Sequence, residues 1–216
     1  MIYFTSDWHF NHDKDFIYEP RGFSSVHEMN EAIIERHNEI VKPEDVVYVL
    51  GDLCLGGGSD EAIRKNKKII SSLKGEIKII LGNHDTKTRV AMYYDCWNTK
   101  VLGYADVIKY GKQHIYMSHY PSFTSNLDYD KPLSARLINV FGHTHSSEKF
   151  YEGNPLMYNV AMDAHNCYPV SIDTVIEDIE RELKALPDMT RKAKDIRPYI
   201  SFLDRVLRRP REKEGG

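Results

Sequence analysis

Seven side chains able to hold a metal ion fall just after short apolar runs. They are Asp7 and His9 in SDWH, Asp52 in GD, Asn83 in GNHD, His119 in SH, and His143 and His145 in GHTH. His84 and Asp85, both able to move protons, share the GNHD block. Mixed nitrogen and oxygen donors without thiolate suit manganese, iron, zinc or cobalt rather than calcium or a soft-metal site. Seven donors exceed the four that an ordinary zinc site takes. They suit two ions that share one bridging carboxylate. Such a pair can acidify a bound water toward neutrality and neutralise charge that develops in a reaction. The HxH spacing alone is a weak signal, since one ring could cap a strand while the other is merely exposed. The other four endings give it meaning.

The apolar runs read as strands at 2–4, 46–50, 77–81, 114–117, 137–141 and 158–161. Five of them end in the residues named above. In α/β sheets, ligands gather at the carboxyl ends of strands, so strands that share one edge bring these groups together. Extended backbone puts residues i and i+2 on one side, which predicts that His143 and His145 converge past their strand. A glycine precedes Asp52, Asn83 and His143, allowing a turn or a close approach. Residues 107–110, Gly111-Lys112 and 114–117 read as a hairpin.

Helical periodicity begins at Ser25-Val26-His27-Glu28, a capping-box form. Its apolar face is Met29, Ile33, Ile34, His37, Ile40 and Val41. A second helix starts near Ser59 with Ala62, Ile63, Ile69, Ile70 and Leu73 inward. A third covers 174–186 with Val175, Ile176, Ile179 and Leu183 inward. Strands alternating with helices predict α/β layers.

The chain has 216 residues, 41% hydrophobic and 28% charged, with net charge −3. These values predict one soluble domain and no dedicated nucleic-acid binder. Apolar runs are too short for a membrane span, and the opening MIYFTSDWHF has no signal-peptide form. Three cysteines without paired spacing (Cys54, Cys96 and Cys167) predict a reducing compartment, hence cytoplasm. Cys54 reads as a small buried hydrophobe. Residues 187–216 carry nine basic against five acidic side chains, which leaves the body at −7. We read 1–186 as the domain and 187–216 as a basic helical appendage whose end, RRPREKEGG, is disordered.

Asp7-Trp8-His9, Gly51-Asp52, Gly82-Asn83-His84-Asp85, His119 and Gly142-His143-Thr144-His145 together resemble the calcineurin-like metallophosphoesterase family, over roughly 1–175. The resemblance implies two packed mixed β-sheets flanked by helices, a four-layer α/β/β/α sandwich. It also implies a role for each residue. One ion takes Asp7, His9, Asp52 and His145. The other takes Asp52, Asn83, His119 and His143, with Asp52 bridging. His84 then faces the substrate as leaving-group acid, and Asp85 hydrogen-bonds and orients it. The ions expected are manganese first, or iron, zinc, cobalt or nickel. A hydroxide between them would attack a small phosphomonoester or phosphodiester in line. DWHFNH looks like a compact phage and bacterial branch of the family, in which His12 is a candidate substrate or supporting contact. Arg21, in EPRGF, is a candidate phosphate clamp because guanidinium matches oxyanions.

Three other readings stay open. A nuclease of the same fold would want a basic channel, which a body at −7 does not suggest. A metal-dead scaffold would have lost ligands, and none is lost. A mononuclear HxH hydrolase of another fold would place HxH early, not late. Oligomeric state is not legible.

Overall fold

A computed structural model of the chain describes residues 1–122 and 137–185. In order, the elements are β1 (Ile2–Thr5), α1 (Asp15–Tyr18), α2 (Val26–Ile40), β2 (Val46–Leu50), α3 (Asp60–Ser72), β3 (Glu76–Ile80) and α4 (Lys87–Tyr94). There follow β4 (Thr99–Gly103), β5 (Ala105–Tyr110), β6 (Gln113–Ser118), β7 (Leu137–Phe141), β8 (Met157–Asn159), β9 (Val170–Ser171) and α5 (Ile172–Ala185). One sheet has the order β4-β3-β2-β1-β9, parallel except for β9. The other has the order β5-β6-β7-β8, with only β5 antiparallel. Both sheets are therefore mixed, as expected, and only Tyr104 separates β4 from β5.

The period-two alternation of the first sheet splits its residues between two cores. Val47, Val49, Ile77 and Ile79 meet Met29 and Ile33 of α2, Ile70 of α3 and Tyr93 of α4. Phe4, Tyr48, Leu50 and Ile80 face the other way, onto Ile115 and Met117 of β6 and Ile138 and Val140 of β7. Central strands buried on both faces read as continuous apolar runs, which is why β2 and β7 have the predicted bounds. Each such side chain contributes on the order of 1.5–3 kcal/mol by leaving water. Helix α5 flanks the sandwich and places Ile172, Val175 and Ile179 in the inter-sheet core.

The predicted hairpin is β5–β6, with Tyr110 opposite Gln113. Ser25 caps α2, its Oγ accepting from Glu28 N at 3.2 Å. The box is only half formed, because the Glu28 carboxylate turns back to Ser24 N and Oγ at 2.8 and 2.6 Å. Ser59 caps α3 through Ala62 N. Cys54 is fully buried in the helix-side core, and all three cysteines are free thiols. Among the described residues, no helix is long and apolar enough to cross a membrane. Leu186 and the basic segment 187–216 lie outside the described residues.

Candidate metal centre

Pairing continues past the strand ends and carries the candidate residues with it. Asp7 N donates to Gly51 O and His9 N to Asp52 O, both at 3.0 Å, while Gly142 N donates to His119 O at 2.9 Å. Ser6 bridges Ala161, so the two sheets are joined at this edge beside Asp7. The backbone then turns sharply. Asp7, His9, Asp52, His143 and His145 have φ of 57°, 51°, 56°, 69° and 49°. These left-handed conformations cost non-glycine residues on the order of 1–3 kcal/mol each and persist only where the surroundings enforce them. His143 and His145 therefore do not converge as i and i+2 of an extended strand. A left-handed turn sends one ring to Asn83 and the other to Asp7 and Asp163.

The glycines before the candidate ligands are imposed by space. A Cβ on Gly51 would lie 2.4 Å from His119 Nδ1, and one on Gly82 would lie 2.3 Å from Asp52 Oδ1. On Gly142 it would lie 1.9 Å from Ser6 Oγ and 2.4 Å from Asp7 Oδ2. Each glycine leaves room for a candidate ligand or its immediate support.

All seven predicted donors come to one place. Asp7, His9 and His145 offer atoms within 4.8 Å of one another, as do Asp7, Asp52 and His119. His9 Nε2 is 3.8 Å from both Asp7 Oδ1 and Asp52 Oδ2, and His119 Nε2 is 3.5 Å from Asp52 Oδ2. Asn83 Oδ1 is 2.8 Å from His119 Nε2 and 3.0 Å from His143 Nδ1. Asp7 Oδ1 and His9 Nε2 are buried without a hydrogen-bond partner among the described residues. His119 Nδ1 faces Leu50 O at 2.7 Å, and a carbonyl only accepts, so in the neutral ring Nε2 presents a lone pair. Unpartnered lone pairs turned toward one another fit a cation between them. Burial pushes the Asp7 carboxyl up, but the imidazoles of His9, His145 and His119 pull it below its ordinary value. Burial pushes His9 down and keeps it neutral, the form that binds a metal.

His84 donates its backbone N–H to Asp52 Oδ1 at 2.8 Å. Its ring stands 5.5 Å from that of His9, with no hydrogen-bond partner among the described residues. His12 lies against the site: its Nδ1 is 3.0 Å from His9 Nδ1, and burial with the nearby His9 and His84 lowers it to about 4. Asn11 bonds both Asn30 and Asn66, which fixes this loop to α2 and α3. Exposed Phe16 stands 5.8 Å from the His12 ring, and exposed Tyr120 stands 4.5 Å from that of His143.

Two further expectations differ from the contacts seen. Asp85 does not orient the His84 ring. Its Oδ2 accepts from Gly82 N at 2.8 Å and Asp52 N at 3.0 Å, and its Oδ1 accepts from Tyr93 OH at 2.7 Å. These bonds point its carboxylate at the backbone and at Tyr93 and clamp the β2 and β3 loops together. Burial raises its pKa, and the three bonds hold it back. Arg21 is not a free phosphate clamp either. Its side chain is 2% exposed and is taken by Asp163 and two backbone carbonyls. Asp163 itself was not anticipated. Its Oδ2 also lies 3.1 Å from His145 Nδ1. Burial would raise its carboxyl, but His145 and Arg21 hold it well below the usual range. Burial lowers His145, and Asp163 and Asp7 more than restore it.

The calcineurin-like phosphoesterase superfamily domain matches residues 2–161. Over 184 residues the chain is 32% identical to an uncharacterized protein of Methanocaldococcus jannaschii, spanning 83% of this chain and 92% of that one. It is 30% identical over 206 residues to the Gene 66 protein of Mycobacterium phage D29, spanning 84% and 98%. Its fold is similar to that of a protein of unknown function from Aquifex aeolicus, with TM-score 0.61, 21% identity and coverage of 82% and 98%.

Proposed function

The chain belongs to the calcineurin-like phosphoesterase superfamily, and from that membership we propose that it hydrolyses small phosphomonoesters or phosphodiesters at a dinuclear metal centre. The observation that carries this reading is the buried, unpartnered pair Asp7 Oδ1 and His9 Nε2, which face Asp52 and His145 across gaps of 3.8 Å. Asp7, His9, Asp52 and His145 would hold one ion, and Asp52, Asn83, His119 and His143 the other. Bound divalent ions supply a nucleophile at neutral pH and neutralise charge on the phosphoryl group. Manganese is the ion we assign, with iron, zinc, cobalt and nickel as alternatives.

The protein's own groups do the rest. Left-handed Asp7 and Asp52 are set before substrate arrives, one by His143 N at 2.8 Å and the other by His84 N. Such preorganisation costs nothing at the moment of reaction. The ring of His84, which has no hydrogen-bond partner among the described residues, donates a proton to the leaving oxygen, the part an imidazole plays in general acid catalysis. Phe16 and Tyr120 offer apolar walls at the rim for the ester's organic part. Three free buried cysteines suit a reducing compartment, and we assign the cytoplasm.

The test is a kinetic panel on protein loaded in turn with manganese, cobalt, nickel and zinc. Substrates are an aryl phosphate, a bis-aryl phosphate, cyclic nucleotides and single-stranded DNA. Turnover of a small ester, with two ions per chain by elemental analysis, is expected. A chain that hydrolyses nothing with any metal is a binding module, and preference for DNA makes it a nuclease.

A further inference from the structure

Arg21 and Asp163, 142 residues apart in sequence, form a two-pronged ion pair, Nε to Oδ1 and Nη2 to Oδ2, each at 3.0 Å. Fork-to-fork pairing of this kind fixes direction as well as charge. Arg21 follows α1, and Asp163 sits in the 3₁₀ turn Met162–Ala164. Their remaining contacts lead to one half of the site. Arg21 Nη2 donates to Asp7 O at 2.9 Å and Nη1 to Trp8 O at 3.3 Å. These carbonyls lie in the stretch where Asp7 and His9 are left-handed. Asp163 Oδ2 faces His145 Nδ1 at 3.1 Å, so a neutral ring that donates there presents Nε2 as a lone pair toward Asp7 Oδ1, 3.8 Å away. The other half is held differently: His119 leans on Leu50 O and Asn83, and His143 on Asn83. Neither Arg21 nor Asp163 has a hydrogen bond or ion pair with His119, Asn83 or His143.

We propose that Arg21 and Asp163 are positioning residues for the Asp7–His9–His145 half of the centre alone. Together they hold the left-handed backbone of Asp7 and His9 and set the tautomer and direction of His145. They touch no substrate. The inference rests on the dinuclear reading above. Outer partners of metal-binding histidines typically change metal affinity by about 10–100-fold.

The test uses full-length wild type, Asp163→Asn, and the double variant Arg21→Met/Asp163→Leu. The double variant leaves no unpaired buried charge, so its fold survives where a lone Arg21 variant could fail. Each chain is titrated with cobalt(II), and stoichiometry, the two affinities and the visible cobalt absorption are read. Wild type should take up two ions. Both variants should keep one cobalt at wild-type affinity, bind the other roughly 10–100-fold more weakly, and lose the matching part of the cobalt spectrum. Two unchanged affinities in the variants would overturn the inference and leave the dinuclear reading intact. Equal weakening of both ions would also overturn it, since that outcome reports general loosening. A wild-type chain that takes up fewer than two cobalt ions sinks the dinuclear reading and the inference with it.

Discussion

His84 and Asp85 are neighbours with different tasks. The His84 ring has no hydrogen-bond partner among the described residues, and in the role proposed for it His84→Asn should leave both proposed ions bound. It should lose about 10²–10⁴-fold on alkyl esters and much less on nitrophenyl esters, whose leaving group needs no proton. Equal losses on both, together with loss of one ion, would make His84 a ligand instead. Asp85 accepts from Gly82 N and Asp52 N and holds two loops at once. Asp85→Asn replaces one accepting oxygen with a donor, so it should slow both ester types alike and weaken metal binding. Comparing the two mutants on the same ester pair separates these roles. GNHD does not reveal the difference, because hydrogen bonds to backbone atoms of distant loops leave no trace in spacing.

Helix α2 carries a second histidine of interest. His37 is fully buried, its Nε2 lies 2.9 Å from Lys74 O, and its ring meets Trp8 edge-on. Burial lowers its pKa to about 4, which the Lys74 carbonyl only partly offsets. The unfolded chain takes up this proton near pH 6.5. The stabilisation from a neutral His37 is therefore complete above about pH 6.5 and is lost as pH falls toward 4, by about 3 kcal/mol. Urea unfolding should show stability falling across that range, and His37→Gln should shrink the total fall by this amount. An unchanged fall would mean that other groups govern the acid limb. Removing the helix cap with Ser25→Ala should cost about 1 kcal/mol at any pH. The sequence made α2 legible because Met29, Ile33, His37 and Val41 repeat on one face and Ser25 marks the start. It did not reveal β9, because two residues carry no period and its pairing with β1 comes from across the chain. Strand β4 was missed for a related reason: its TKVLG lacks the apolar run of β2 and owes its place to register with β3. The seven converging donors were legible as strand endings. Asp163 was not, since only tertiary packing brings its short turn to His145 and Arg21.

At the scale of the molecule, two sheets meet at an edge where five candidate ligands hold strained backbone. Ions that bind only the folded chain stabilise it by mass action. Each ion at 100 times its dissociation constant adds about 2.7 kcal/mol. Manganese or cobalt should therefore raise the melting temperature in a concentration-dependent way, and chelator should reverse the shift. Asp52→Asn should flatten that response while the metal-free chain still folds, because both cores lie elsewhere. A melting temperature indifferent to every metal would remove the centre from the account.

Gly51, Gly82 and Gly142 give this arrangement a consequence for how the protein tolerates change. None carries a functional group, yet the space beside each is already filled by His119, by Asp52, or by Ser6 and Asp7. In a saturation library selected for activity, these three positions should be as intolerant as the ligands themselves. Gly58, with open space around it, should accept most residues. The site thus reaches further into the chain than its chemistry does, and part of its specification is written as missing side chains.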